Sequence, residues 1–188
     1  MFIAISGISG SGKNTVMHHL TKMRGNLKIL ERSTATTRER RESDETYQTY
    51  IYMSEEEFKK GIDKGIFIEY ENVHGFYYGT LKEAFQKVIE DKENVYARDI
   101  DVKGVINLKK YLTGKVDMVT IFLDAPDEEL KSRLLKRGES KERAEARLSR
   151  GKLERSYKDN YDLVIENIDL NSTLQIINDF IDKRRGIK

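Results

Sequence analysis

The stretch 2–15, FIAISGISGSGKNT, decides how the whole chain is read. Residues 2–6 form a short run without a charge, the pattern of a strand buried on both faces. Gly7, Gly10 and Gly12 then punctuate a turn that ends in Lys13, and residues 14–23 carry helical spacing. A strand, Gly7-x-x-x-x-Gly12-Lys13 and a helix in that order let backbone N–H groups curl inward around a phosphate. The helix adds the partial positive charge of its N-terminus. Lys13 is long enough to follow a terminal phosphate as it moves. A plain Gly/Ser turn with a surface lysine is the alternative, and the agreement of spacing, strand and helix counts against it. One residue departs from the pattern. Asn14 occupies the place where such loops carry Ser or Thr, with Thr15 directly behind it. An amide bonds phosphate but is a poorer magnesium ligand than a hydroxyl, so magnesium would lean on Thr15, on water and on the ligand's phosphates.

Outward from the loop, apolar periodicity predicts a weak strand over 26–30 and a mixed region over 33–80. That region holds strand-like runs near 50–53 and 66–70. Between them SEEEFKKGIDKG reads as a helix, with Ser54 as cap and Glu57 closing a capping box. A helix over 81–92, a strand over 94–101, a helix over 102–112 and a strand over 116–124 follow. Asp127 begins a helix toward Arg137, a second helix covers 140–159, 162–167 is a strand, and 170–184 closes the chain as a helix. Strands alternating with helices imply an α/β fold with a parallel sheet flanked by helices. Ligands then collect at the C-terminal edge of the sheet, beside the first strand-to-helix turn.

The 188 residues suit one domain, residues 1–188, and are enough to bury a sizeable core. No cysteine is present, so disulfides and thiolate metal sites are excluded, in keeping with a cytoplasmic protein. MFIAISGISG has no basic start and too short an apolar run for a secretory signal, and no stretch approaches a membrane span. A net charge of +2 gives no general attraction to nucleic acid. Local charge is more pointed. Residues 131–155 hold ten Lys/Arg against four Glu, and RSTATTRERR adds Arg32, Arg38, Arg40 and Arg41. Solvated helix surface accounts for most of these lysines. Two basic clusters beside a Gly-rich loop also suit a phosphate-rich ligand gripped from several sides. His18, His19 and His74 have no metal-ligand spacing and read as surface residues.

Beyond the loop, several ordered motifs resemble those of the guanylate kinase family, from Phe2 to about Ile181. GISGSGKNTV is similar to G-P-S-G-x-G-K-x-T-x, with Ile8 in place of the proline. STATTR is similar to S-x-S-x-T-T-R, and Arg41 keeps the Arg-x-x-Arg spacing from Arg38. FIEYENVHGFYYGT is similar to F-x-E-x-x-x-x-x-G-N-Y-Y-G-[TS], and DIDVKG to D-I-D-x-Q-G, with Lys103 in place of the glutamine. RLLKRG followed by Arg147-Leu148 resembles the family's lid, and VIEN resembles V-I-V-N. The segment RRESDETYQTY lacks the proline and both glycines of R-P-G-E-x-x-G-x-x-Y while keeping the spacing from Arg41 to Tyr50. Related monophosphate kinases also carry GKGT, with the hydroxyl one residue late, as Thr15 is here.

The resemblance implies a P-loop kinase core over 1–32, 81–130 and 160–188, a GMP-binding subdomain over 33–80 and a small lid over about 131–159. It implies transfer of the γ-phosphoryl group from ATP to GMP or dGMP with Mg²⁺, by a monomer or homodimer acting without nucleic acid or membrane. ATP would be held by Gly7, Ile8, Ser9, Gly10, Ser11, Gly12, Lys13, Asn14 and Thr15, with Arg137 over the phosphates and Asn167 near the adenine. Thr34, Arg38, Arg41, Tyr50 and Tyr78 would surround the GMP phosphate. Glu69 would accept from guanine N1–H and the 2-amino group, Thr80 would donate to O6, and Asp101 would support the same edge. Asp99 would lie near GMP and the metal, which Thr15 and Asp99 would reach through water. Lys13, Arg38, Arg137 and Arg147 would spread charge during transfer. Tyr77 reads as a core aromatic. Two other readings stay open: a non-catalytic interaction module of the same fold, against which Gly10, Gly12 and Lys13 count, and a kinase of a sugar phosphate, which would not need Glu69 and Thr80 together.

Overall fold

A computed structural model describes residues 1–40, 50–73 and 75–187. Five parallel strands form the main sheet: β1 (Phe2–Gly7), β2 (Leu27–Ile29), β7 (Val95–Asp99), β8 (Met118–Asp124) and β9 (Leu163–Glu166), in the order β2-β7-β1-β8-β9. The first strand is therefore central, flanked by β7 from Phe2↔Tyr96 to Ile5↔Asp99 and by β8 from Phe2↔Met118 to Gly7↔Leu123. Helices cover both faces. Ile3 and Ile5 pack with Val16, Met17 and Leu20 of α1 (Lys13–Met23) and with Leu174, Ile177 and Ile181 of α7 (Leu170–Arg185). Phe2 and Ala4 point the other way, onto Phe85 and Val88 of α3 (Lys82–Glu90) and Val105, Leu108 and Leu112 of α4 (Val102–Leu112). Strand residues of both parities are apolar because both faces are covered.

A second sheet is built from β3 (Thr34–Thr36), β4 (Tyr50–Tyr52), β5 (Phe67–Val73) and β6 (Phe76–Leu81), in the order β4-β3-β6-β5. One face rests on α2 (Glu55–Asp63), whose Phe58 is fully buried and stacks on Phe67 at 4.4 Å and Tyr77 at 5.2 Å between ring centroids. A Cβ on Gly79 would meet Phe67 at 2.7 Å and Phe58 at 2.9 Å, so only glycine lets this stack close. Tyr77 is thus core, as its sequence context suggested. The helix starts as read from sequence: Ser54 accepts from the Glu57 N–H and the Glu57 carboxylate accepts from the Ser54 N–H.

The other face of this sheet is polar, and a bulge arranges it. Phe67 pairs with Leu81, yet Glu69, and not Ile68, pairs with Thr80. One extra residue in β5 flips Glu69 to the face opposite Phe67. Cross-strand partners then align in two rows, Tyr50–Thr34–Thr80–Glu69 and Tyr52–Thr36–Tyr78–Glu71. Sequence periodicity found β4 and most of β5 but not β3, which is only three residues long, or β6, which is polar on this face. It also ran a single helix over 140–159. After α5 (Asp127–Lys136), which starts at Asp127 as read, the chain instead ends α6 (Lys141–Arg155) early and adds a separate 3₁₀ turn over Lys158–Asn160.

Candidate active site

Gly7 ends β1 with φ 147, and a Cβ there would lie 2.0 Å from the Leu123 carbonyl oxygen of β8. The loop can leave the sheet at this point only as glycine. It enters α1 through Gly12, which has a left-handed conformation (φ 91). The helix has no side-chain cap and no acid in its first turn, so its N-terminal field is available to an anion. Ile8 is buried among Val102, Phe122, Ala125 and Leu130 and anchors the loop from below. Lys13 folds back over the loop, its Nζ donating to the carbonyls of Gly7 at 2.6 Å and Ile8 at 3.2 Å. Burial holds its pKa below the ordinary lysine value; Asp99 and Glu154 push it up, and Arg137 and Arg147 push it down. Asn14 and Thr15 are exposed at the start of α1.

Beside the loop, a cleft of about 400 Å³ runs between the main sheet and the polar face of the second sheet. Gly7, Lys13, Thr34, Tyr50, Glu69, Tyr78, Thr80, Asp99 and Asp101 line it together, all of them expected from the sequence. The Thr80 hydroxyl donates to Glu69 Oε1 in a short hydrogen bond. Burial raises the Glu69 pKa, against the lowering effect of that hydrogen bond. Asp101 caps α4, but the N–H groups of Lys103 (2.9 Å) and Gly104 (2.7 Å) both meet Oδ1, leaving Oδ2 for another donor. Burial, with Asp99 next, raises the Tyr50 phenol pKa. Arg38 is buried beside Tyr50 but is not among the residues lining the cleft; its guanidinium lies 5.1 Å from the centre of the Tyr50 ring, and it donates to the Glu39 carbonyl at 2.6 Å. Arg41 and His74 lie outside the described residues.

Part of the basic stretch 131–155 gathers away from this cleft. Arg137, Arg143 and Arg147 line their own hollow with Glu139. Arg147 reaches the phosphate loop, donating to Ser9 Oγ at 2.8 Å while pairing with Glu139 at 3.0 Å. Asn167, expected near an adenine, is 5% exposed and committed to the protein: its Nδ2 donates to the Ser11 carbonyl at 2.7 Å and its Oδ1 accepts from Thr173 at 2.9 Å. In the structure it is a strut under the loop.

Sequence reasoning missed part of the cleft wall. Arg98, Glu71, Arg150, Leu153 and Glu154 also line it. A charge inside the apolar run VYARD was the signal for Arg98; Arg150 stood out only as one of the basic residues of 131–155, and nothing local marks Leu153 or Glu154. A shallower hollow of about 660 Å³ lies between β5 and α4, but it contains no phosphate-loop residue, so size alone does not locate the chemistry. Among the described residues, no helix is long and apolar enough to cross a membrane, and no group of three or more His, Asp or Glu is placed to hold a metal.

A parallel sheet with the phosphate loop at the end of its central strand, facing a second nucleotide-sized cleft, defines a P-loop kinase. The sequence profile described as guanylate kinase matches residues 2–184. The guanylate kinase of Bacteroides thetaiotaomicron is 37% identical over 188 residues, covering 96% of this chain and 90% of that protein. That of Thermotoga maritima is 32% identical, with 97% and 86% covered. A crystal structure of guanylate kinase from Anaplasma phagocytophilum superimposes with a TM-score of 0.72 at 25% identity, over 98% of this chain and 85% of that one. The chain belongs to the guanylate kinase family.

Proposed function

We propose that the cleft and the loop carry out transfer of the γ-phosphoryl group of ATP to GMP, in the cytoplasm and in the service of purine nucleotide metabolism. The family assignment supports the reaction itself, an ATP:GMP phosphotransfer. The observation that carries the residue roles is the row Thr34–Thr80–Glu69, set beside Asp101 and opening toward Lys13. Glu69 accepts from guanine N1–H and the 2-amino group, and Thr80 donates to O6 once its bond to Glu69 is exchanged for the base. Adenine offers an acceptor at N1 and no 2-amino group, so it would leave the half-buried carboxylate unpaired. Tyr50, Tyr78, Thr34, Arg38 and Arg41 hold the acceptor phosphate. The backbone from Gly7 to Thr15 and Lys13 hold the donor's phosphates.

An oxygen of the GMP phosphate attacks the γ-phosphorus, the bond to the β,γ-bridging oxygen breaks, and ADP leaves with the electron pair. No protein nucleophile or base is needed; positioning and charge compensation carry the rate. Lys13, Arg38, Arg137 and Arg147 supply that compensation, and residues 33–80 and 131–159 act as the acceptor subdomain and the lid. Magnesium fits the donor set: the Asp99 carboxylate shares the cleft with Lys13, and the Thr15 hydroxyl lies exposed at the loop's end. These hard oxygens suit a hydrated Mg²⁺ bound mainly through water and phosphates, where it would neutralise phosphate charge.

A coupled assay of ADP release with GMP, dGMP and AMP as acceptors tests the reading. GMP should be preferred over AMP by about 10⁴-fold in kcat/KM. Comparable rates on AMP and GMP would remove the base pocket from the proposal.

A further inference from the structure

Arg98 stands in the cleft without a part in the reaction as laid out above. It sits on β7 opposite Ala4, follows the buried residues Val95, Tyr96 and Ala97, and is itself only 7% exposed. Removing a guanidinium from water costs several kcal/mol unless hydrogen bonds and charges surround it, roughly what is lost when a buried pair is broken. The surroundings are specific. Nη1 donates to Ser33 Oγ at 2.8 Å and Nη2 to Thr34 Oγ1 in a short bond, while Nε is buried with no hydrogen-bond partner. Ser33 passes its own proton to the Leu30 carbonyl at 3.0 Å, so that hydroxyl is spent inside the protein. The Thr34 hydroxyl has accepted from Arg98 and still has its proton to give. Thr34 lines the cleft, in the row with Tyr50, Thr80 and Glu69.

We propose that Arg98 is a positioning residue for the acceptor nucleotide: it sets the Thr34 hydroxyl as a donor into the cleft and supplies the cation around which Glu69, Asp99 and Asp101 gather. The proposal rests on the cleft being the acceptor site. A hydroxyl whose lone pair is taken by a guanidinium presents its O–H outward, which suits a phosphate and disfavours a donor. The charge has a second effect. Guanine recognition requires Glu69 as a carboxylate, and burial works against that form. The groups facing Glu69 are Thr80 from β6, Asp101 from the start of α4, Arg98 from β7 and Glu71 from its own strand, the last paired with Lys103 at 3.1 Å. Asp101 and Glu71 oppose ionisation; Arg98 and the Thr80 hydrogen bond favour it. Without Arg98 the carboxylates and the acceptor's own charge would face one another with less compensation.

Steady-state kinetics of Arg98→Met, Arg98→Lys, Thr34→Val and the Arg98→Met/Thr34→Val pair test this, varying GMP and ATP separately and following kcat/KM into acid. Arg98→Met should raise the KM for GMP by about tenfold or more, leave that for ATP within about twofold, and move the acidic limb of kcat/KM for GMP to higher pH. Arg98→Lys should restore the acidic limb, because it keeps the charge, while recovering only part of the KM, because it lacks the fork. Thr34→Val should raise the GMP KM alone but add little to Arg98→Met. An unchanged GMP KM and acidic limb in Arg98→Met overturns the proposal, as does an equal loss for both nucleotides. Should Arg98→Met not fold, an unchanged GMP KM in Thr34→Val overturns it. A parent protein inactive on GMP would instead overturn the function, a result distinct from any of these.

Discussion

Glu69 is a half-buried carboxylate whose neighbours within the protein leave it under-compensated, and that is what a ligand's donors would exploit. Glu69→Gln keeps size and one acceptor but presents an amide NH₂ to a guanine donor. Its kcat/KM for GMP should fall by about 10²–10³-fold while the thermal midpoint barely moves. The pH dependence has a definite sign. The recognising form is the carboxylate, and burial raises the pKa above its ordinary value of about 4.3. The KM for GMP should therefore begin to climb, on acidification, at a pH above that value. A parent protein whose GMP KM stays flat through that range counts against Glu69 as the base-reading group. At this scale, residue identities were largely legible. Gly7, Lys13, Glu69 and Thr80 stand in motifs whose spacing mirrors their chemistry. Arg98 was not, because a lone arginine in a strand says nothing about which hydroxyls will meet it. The hydrogen bonds of Asn167 to Ser11 and Thr173 were equally unreadable, because they depend on how the end of β9 packs under the loop.

Among the elements, α2 was read correctly down to its cap because capping is local. Ser54, Glu57 and the N–H groups they satisfy lie within one turn. Ser54→Ala should cost about 1 kcal/mol, lowering the thermal midpoint by a few degrees at most. Because α2 presents Phe58 to Phe67 and Tyr77, the loss should appear as earlier opening of the second sheet in hydrogen exchange, with the main sheet's protection retained. Uniform loss across both sheets would show that the two open together. The bulge in β5 was invisible in advance. FIEY alternates as an ordinary strand, and only the pairing with β6 reveals that Ile68 is the extra residue. The end of α6 was equally unreadable: no glycine or proline follows Arg155, and the helix stops where Arg155 and Lys158 are claimed by Asp124.

In the molecule as a whole, that aspartate ties the end of α6 to the main sheet. Asp124 ends β8, is 6% exposed, and accepts from Arg155 at 2.8 and 3.0 Å, from Lys158 at 2.7 Å and from the Ala125 N–H at 2.8 Å. Burial raises its pKa, but these donors together outweigh burial and leave it below the ordinary aspartate value. A depressed folded-state pKa means stability that is present above the unfolded value of about 3.9 and is lost as pH falls through the folded one. Asp124→Asn should destabilise the protein by about 2 kcal/mol at neutral pH. The difference from the parent should shrink on acidification below about pH 4, as read by urea unfolding. A constant difference down to low pH would mean that the charge at Asp124 is not what holds α6.

By itself the sequence determined the parallel α/β core, the phosphate loop at the end of its first strand and most of the polar side chains of the cleft. Those features depend on periodicity and on short-range chemistry, which neighbouring residues carry with them. Tertiary structure alone decided which side chains share a face: the bulge that brings Glu69 opposite Thr80, the anchoring of Arg98 on Ser33 and Thr34, and the approach of Glu154 to Lys13. Each of these depends on register or on packing between segments far apart in the chain, and side-chain direction in a strand inverts with a shift of one residue.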